Sequence, residues 1–211
     1  ECWKREGNTV PDETWEKINQ CDATLLGAIT SKPLAETEAE LPPHLQGQNR
    51  RYVSPVIQLR QNLDLYANVR PVTDITGENR FRFVVIRENT EGLYAGLDYG
   101  RIPDQFLPLL QEREALGAPW RREGQEDATI SVRLQTRSGL ERIFEYAFDY
   151  ASRHGFDRVT FVDKPMVLRH SSAFTRGVFE SVAQRYPGIE GVIENVDAVA
   201  LWMVQHPERF S

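Results

Sequence analysis

Residues 138–164 read SGLERIFEYAFDYASRHGFDRVTFVDK, and this stretch decides the fold class. Leu140, Ile143, Phe144, Ala147, Phe148 and Ala151 recur at helical spacing and make one apolar stripe. Ser138, with Glu141 three residues on, has the form of a capping box, so a helix is predicted over 139–154. Gly155 ends it, and RVTFVD, residues 158–163, follows at once as a buried strand. The alternation continues: a helix over 171–185 stopped by Pro187 and Gly188, a strand over 189–193, and a helix over 197–206. Strand and helix in turn point to a layered α/β fold.

Upstream the pattern is looser. DATLLGAIT, residues 22–30, reads as a short buried strand, and 31–54 as a surface loop rich in Pro, Glu and Gln. PVIQLRQNLDLY, residues 55–66, reads as a helix with Pro55 at its first position. Strands are predicted over 81–87, 92–97 and 128–136. A helix is predicted over 104–116, before a polar excursion around Gly117, Pro119 and Gly124.

Composition narrows the function. The chain has 211 residues, 40% of them hydrophobic, which is enough for one or two domains with a core. A net charge of −6 argues against a nucleic-acid binder, which needs a basic face. It does not argue against a small anion held by local arginines. No apolar run has the ~20 residues a membrane helix requires. Cys2 and Cys21 make no Cys-x-x-Cys motif, and a reducing cytoplasm is the default. The first residues lack an apolar signal core and do not start with Met, so the chain is expected to be a piece of a longer protein.

Several side chains stand where a surface residue is not required. Arg87 closes the apolar run Phe83–Ile86, and Tyr94 follows seven residues later. Arg60 interrupts a helical apolar rhythm, and Arg70 precedes Pro71. Arginine is suited to two-pronged capture of carboxylates, although each of these can equally be a solvated surface cation. Lys164 ends a strand, where functional groups collect in α/β sheets, and a lysine there can move protons; it can also be a plain loop residue. Asp197 reads either as the cap of the last helix or as a ligand for a divalent cation.

Five stretches, in order, resemble the isocitrate and isopropylmalate dehydrogenases, the metal-dependent β-decarboxylating family that includes homoisocitrate and tartrate dehydrogenases. They are DATLLGAITS (22–31), SPVIQLRQNLDLYANVRPV (54–72), VVIRENTEGLYAG (84–96), RVTFVDK (158–164) and ENVDAVALWMVQHPERF (194–210). The resemblance implies that Arg60, Arg70 and Arg87 bind substrate carboxylates. Tyr94 would protonate the enol intermediate, Lys164 would take part in proton transfer, and Asp197 would be the first metal ligand, with Pro207 at the family's distance beyond it. Ser54 falls where isocitrate-specific members carry a substrate-contacting serine.

By the same resemblance the cofactors are NAD or NADP and Mg²⁺ or Mn²⁺, and the subunit has two domains. Residues 1–71 would belong to the cofactor-side domain. Residues 72–211 would form a small, dimer-forming domain carrying Tyr94, Lys164 and Asp197, in a homodimer with shared active sites. Trp202 and Met203 would lie on an exposed helix face at its interface.

The chain also departs from the pattern. The family's glycine-rich N-terminal strand-loop, two further metal-binding aspartates and adenosine-binding loop are not seen, so the fragment alone is expected to turn over nothing. Cofactor-binding residues are not identifiable. Pro165 and Met166 replace a small residue and an asparagine that faces the nicotinamide. Val56 replaces an asparagine frequent in isocitrate enzymes, so SPVIQLR looks like homoisocitrate enzymes while RENTEGLYAG looks like isocitrate enzymes. Met166 keeps open a non-catalytic regulatory subunit of a hetero-oligomeric isocitrate dehydrogenase, whereas Tyr94 and Lys164 together favour an enzyme.

Overall fold

A computed structural model describes residues 1–31, 33–48, 50, 52–112 and 125–211. The chain divides into two units, Glu1–Leu65 and Tyr66–Ser211. Among the described residues the first holds four short helices, α1 (Cys2–Glu6), α2 (Asp12–Ile18), α3 (Leu34–Thr37) and α4 (Pro55–Asn62). Its small core is Trp3, Leu41 and Leu45. The Trp3 ring meets Tyr52 edge-on at 5.2 Å, and its Nε1–H donates to the Thr37 carbonyl at 2.7 Å.

Residues 22–30 form no strand, and Leu25 is fully exposed. A strand exists only through a ladder partner, and none pairs with this segment among the described residues. α4 starts at Pro55 as expected but stops at Asn62, because Asp64 turns left-handed at φ 48°.

In the second unit β1 (Ala67–Thr73) pairs antiparallel with β2 (Arg82–Glu88), Ala67 opposite Glu88 and Thr73 opposite Arg82. β1 was not among the expected strands and holds Pro71; a proline is tolerated in an edge strand. The expected strand over 92–97 is instead a 3₁₀ turn, Leu93–Ala95, between Gly92 and Gly96, both at positive φ. It leads to β3 (Asp98–Tyr99), followed by a 3₁₀ turn (Asp104–Phe106) and α5 (Leu107–Glu112). The rest of the helix predicted to residue 116, and the excursion around Gly117, Pro119 and Gly124, lie outside the described residues. β4 (Ile130–Ser131) pairs with β3, and a single bridge joins Leu134 to Gly92, so the strand expected over 128–136 is mostly irregular.

The alternating half folds as read. α6 (Arg137–His154) is followed by β5 (Arg158–Asp163), α7 (Arg169–Ala183), β6 (Glu190–Asn195) and α8 (Val196–Gln205), then a 3₁₀ turn, Pro207–Phe210. β5 and β6 are parallel, Arg158 opposite Glu190 and Asp163 opposite Asn195. Leu140, Ile143, Phe144 and Phe148 of α6 pack on Val178, Phe179 and Val182 of α7 and cover Val159, Phe161, Ile193 and Ile86. Phe148 is completely buried, stacked on Tyr186 at 5.1 Å. Burying one such side chain stabilises the fold by about 1.5–3 kcal/mol. On the opposite pleat of β2, Phe83 packs against Phe210, while α8 lies on β5 and β6 through buried Val199. The strands are thus layered between helices, an α/β architecture. Among the described residues no helix is long and apolar enough to cross a membrane.

The cap of α6 is Thr136, not Ser138. The Thr136 hydroxyl accepts the Gly139 N–H at 3.0 Å, and the acid that a capping box would place on the helix comes instead from Glu91.

Candidate active site around Arg87 and Tyr94

The bend after β2 is built by one carboxylate. Glu88 Oε1 accepts the N–H groups of Asn89, Thr90 and Glu91 at 2.8, 2.6 and 3.0 Å, and the Thr90 hydroxyl at 2.8 Å. These bonds fold residues 88–91 back on themselves. Gly92, at φ 68°, then donates its N–H to the Leu134 carbonyl at 2.7 Å. The Tyr94 N–H donates to the Glu91 carbonyl at 3.2 Å.

The bend brings the ends of the motif together. The Arg87 guanidinium carbon lies 5.3 Å from the centroid of the Tyr94 ring, within cation–π range. Arg87 Nε is buried and, among the described residues, has no hydrogen-bond partner. A buried donor left without a partner is costly, so an acceptor arriving there is favoured. Arg70 stands opposite Val85 and Arg87 opposite Asn68, which puts both arginines on one face of the hairpin. Arg70 is exposed and donates to Asn68 Oδ1 at 3.1 Å.

Lys164 and Asp197 meet at the carboxyl ends of the two parallel strands. Their side chains form an ion pair, Lys164 35% and Asp197 67% exposed. Asp197 is not the cap of α8; Asn195 is, its side chain accepting the Asp197 N–H at 3.0 Å. The Asp197 carboxylate is therefore not consumed in capping. Lys164 precedes the turn into α7, where its carbonyl accepts the N–H groups of Val167 and Leu168. Met166 projects from that turn largely exposed.

Ser54 and Arg60 belong to the first unit. The Ser54 hydroxyl bonds to that of Ser31 at 2.8 Å, and Arg60 lies in the last turn of α4, where a cation complements the helix dipole. In the second unit, a cavity of about 570 Å³ opens between β2 and β5 against α6 and α8. A smaller one, about 230 Å³, lies beside the bend. Arg87 lines both, Tyr94 only the smaller, and Lys164 and Asp197 neither. Thus the second unit forms two pairs, Arg87 with Tyr94 and Lys164 with Asp197, without joining them in one cavity.

Among the described residues no three His, Cys, Asp or Glu side chains cluster to hold a cation. Asp197 offers one exposed oxygen donor of the kind Mg²⁺ and Mn²⁺ take. Trp202 and Met203, expected on an exposed face, are half-buried: the Arg209 guanidinium lies 3.6 Å over the Trp202 ring, and Met203 lines the larger cavity. The exposed large apolar residues of α8 are Val196, Leu201 and Val204.

From the sequence, residues 88–92 read as a bend that could bring Arg87 and Tyr94 together; what it did not show are the contacts of Glu88, Glu91 and Thr136 that shape the bend. Their one signal was Gly139, a glycine in the first turn of an otherwise strong helix.

The profile of the isocitrate/isopropylmalate dehydrogenase family matches residues 1–211. Protein DlpA of Legionella pneumophila is 51% identical over 211 residues, covering all of this chain and 34% of that protein. A homoisocitrate dehydrogenase of Methanocaldococcus jannaschii is 33% identical over 225 residues, with all of this chain and 54% of that protein covered. Among solved structures, isocitrate dehydrogenase from Methylococcus capsulatus superposes with a TM-score of 0.74 at 32% identity, covering 99% of this chain and 53% of that one. The chain thus spans between about a third and about half the length of these relatives. With the profile matched from end to end, this chain belongs to the isocitrate/isopropylmalate dehydrogenase family.

Proposed function

We propose that the protein containing this chain oxidatively decarboxylates a 2-hydroxy-3-carboxy acid of the isocitrate, homoisocitrate or 3-isopropylmalate class, using NAD or NADP and Mg²⁺ or Mn²⁺. The observation that carries this reading is Arg87, whose buried Nε lacks an acceptor among the described residues while its guanidinium lies over Tyr94. An anion gripper and a phenol are thereby held side by side. Homoisocitrate and 3-isopropylmalate dehydrogenases among the relatives support the substrate class.

Each residue has a task in this chemistry. Arg60, Arg70 and Arg87 bind the substrate's carboxylates and fix its orientation for hydride transfer. Ser54 contacts the substrate's side arm. Lys164 accepts the proton of the 2-hydroxyl as the carbon is oxidised. CO₂ then leaves, its electron pair stays on carbon as an enolate, and Tyr94 delivers a proton there. Asp197 supplies one oxygen ligand to the cation, whose chemistry when bound is Lewis-acid polarisation of the substrate's oxygens.

In this reading residues 1–71 belong to a cofactor-side domain and 72–211 to a dimer-forming one, in a cytoplasmic homodimer. The exposed Leu201 and Val204 on α8 suit such an interface. A non-catalytic regulatory subunit is the second reading, favoured by exposed Met166 in the turn after Lys164, where methionine offers no amide to a nicotinamide.

The test is an assay of the intact protein with Mn²⁺, both nicotinamide cofactors and a panel of the three acid classes, following cofactor reduction. Turnover of at least one acid that stops on chelation of the metal is expected. Absence of turnover with every combination would overturn the enzyme reading in favour of the regulatory one.

A further inference from the structure

We infer that Glu91 is a positioning residue for Tyr94, holding the phenol in place by fastening the bend to the first turn of α6. This rests on the proposed reaction for its catalytic consequence and on geometry alone for its structural one. Glu91 carries bonds in both directions. Its side chain accepts the Thr136 N–H at 2.9 Å and the Thr136 hydroxyl at 2.5 Å, while its carbonyl accepts the Tyr94 N–H at 3.2 Å. Thr136 is in turn the cap of α6, so the bend, the cap and an 18-residue helix share one carboxylate.

Three further features show that the arrangement is built. Gly139 has no side chain where one would collide: a Cβ there would lie 2.3–2.4 Å from the Glu91 carboxylate. The carboxylate sits at the positive end of the α6 dipole, where an anion is stabilised. Arg142, one turn further along α6, donates to the Thr90 hydroxyl at 2.8 Å, a second tie between the same helix and the same bend.

The two members of the Arg87–Tyr94 pair are held differently. Arg87 sits in a ladder position opposite Asn68, fixed by the hairpin. Tyr94 sits in a 3₁₀ turn between two left-handed glycines, tied through Glu91. Loosening Glu91 therefore displaces the phenol and leaves the arginine in place. Substrate binding should survive while proton delivery suffers.

The experiment uses the intact protein with Glu91→Ala and Glu91→Gln, read by steady-state kinetics and by amide hydrogen exchange across residues 92–95. For Glu91→Ala we expect kcat to fall about a hundredfold, the scale of a small misplacement of a reacting group, with KM little changed. Exchange at 92–95 should quicken by about tenfold or more while β5 and β6 keep their protection. Glu91→Gln, which can still accept the Thr136 N–H, should recover most of both. If Glu91→Ala does not fold, Thr136→Val carries the same comparison, since it removes one of the two donors to the carboxylate. Unchanged exchange at 92–95, or a rise in KM at constant kcat, would overturn the inference. If the wild-type protein turns over no acid, the proposed reaction fails and the exchange measurement alone decides the role of Glu91.

Discussion

Gly139→Ala separates two effects of opposite sign. Glycine within a helix normally costs ~1 kcal/mol relative to alanine, so a routine substitution stabilises. Here the new Cβ would lie 2.3 Å from Glu91 Oε2 and 2.4 Å from both Cδ and Oε1. The clash itself is relieved cheaply, because a glutamate's end can rotate away. What is lost is the pair of bonds from Thr136 N–H and O–H to that carboxylate. The Thr136 cap itself remains, and a hydrogen bond to a charged group contributes about 1.5–3 kcal/mol before discounting for exposure. Gly139 also lies in the first turn, where the propensity gain is smaller than in a helix interior. The lost bonds therefore win, and we expect a net destabilisation of about 1–2 kcal/mol, lowering Tm by roughly 2–8 °C for a chain of this size. Thermal unfolding followed by far-ultraviolet circular dichroism measures it. A variant as stable as the wild type, or more stable, would show that Glu91 does not hold Thr136 and would refute the reasoning.

Three other perturbations have definite signs. Phe148→Ala, at a fully buried position in the α6–α7 core, should cost about 3–5 kcal/mol in urea unfolding. Asp74 is nearly covered at the β1–β2 turn; the Arg80 guanidinium, then the N–H and hydroxyl of Thr76, hold its carboxyl well below the usual carboxylate range. A depressed folded-state value contributes stability above the unfolded pKa and loses it as pH falls, so the stability gap between wild type and Asp74→Asn should be full at pH 7 and narrow below about pH 4. Arg87→Lys keeps the charge but removes the planar fork, so the KM for the acid substrate should rise about tenfold to a hundredfold, the equivalent of ~1.5–3 kcal/mol.

The second half of the fold was legible because local signals and global packing agree there. The stripe of α6, Gly155 and the RVTFVD strand all point to one structure, and their residues form the core. β1 was not among the expected strands, although its Pro71 is compatible with an edge ladder. Residues 92–97 misled because alternation cannot show that Gly92 and Gly96 both turn left-handed. Residues 22–30 misled because a strand needs a partner that the pattern of one segment cannot supply. In the candidate site, Arg87 and Tyr94 were recognisable by type and spacing. Glu91 was legible as part of the bend but not as its anchor, since its partner Thr136 is 45 residues away, and only Gly139 hints at the contact.

The central claim is that the protein couples oxidation to loss of CO₂ at a site in which Tyr94 returns the proton. The most direct measurement is the ratio of CO₂ released to reduced nicotinamide formed by the intact protein with Mn²⁺, in wild type and Tyr94→Phe. The account predicts equimolar products for the wild type and a large loss of turnover for Tyr94→Phe, with substrate binding retained through Arg87. Reduced nicotinamide without CO₂, or a Tyr94→Phe variant as fast as the wild type, would contradict it.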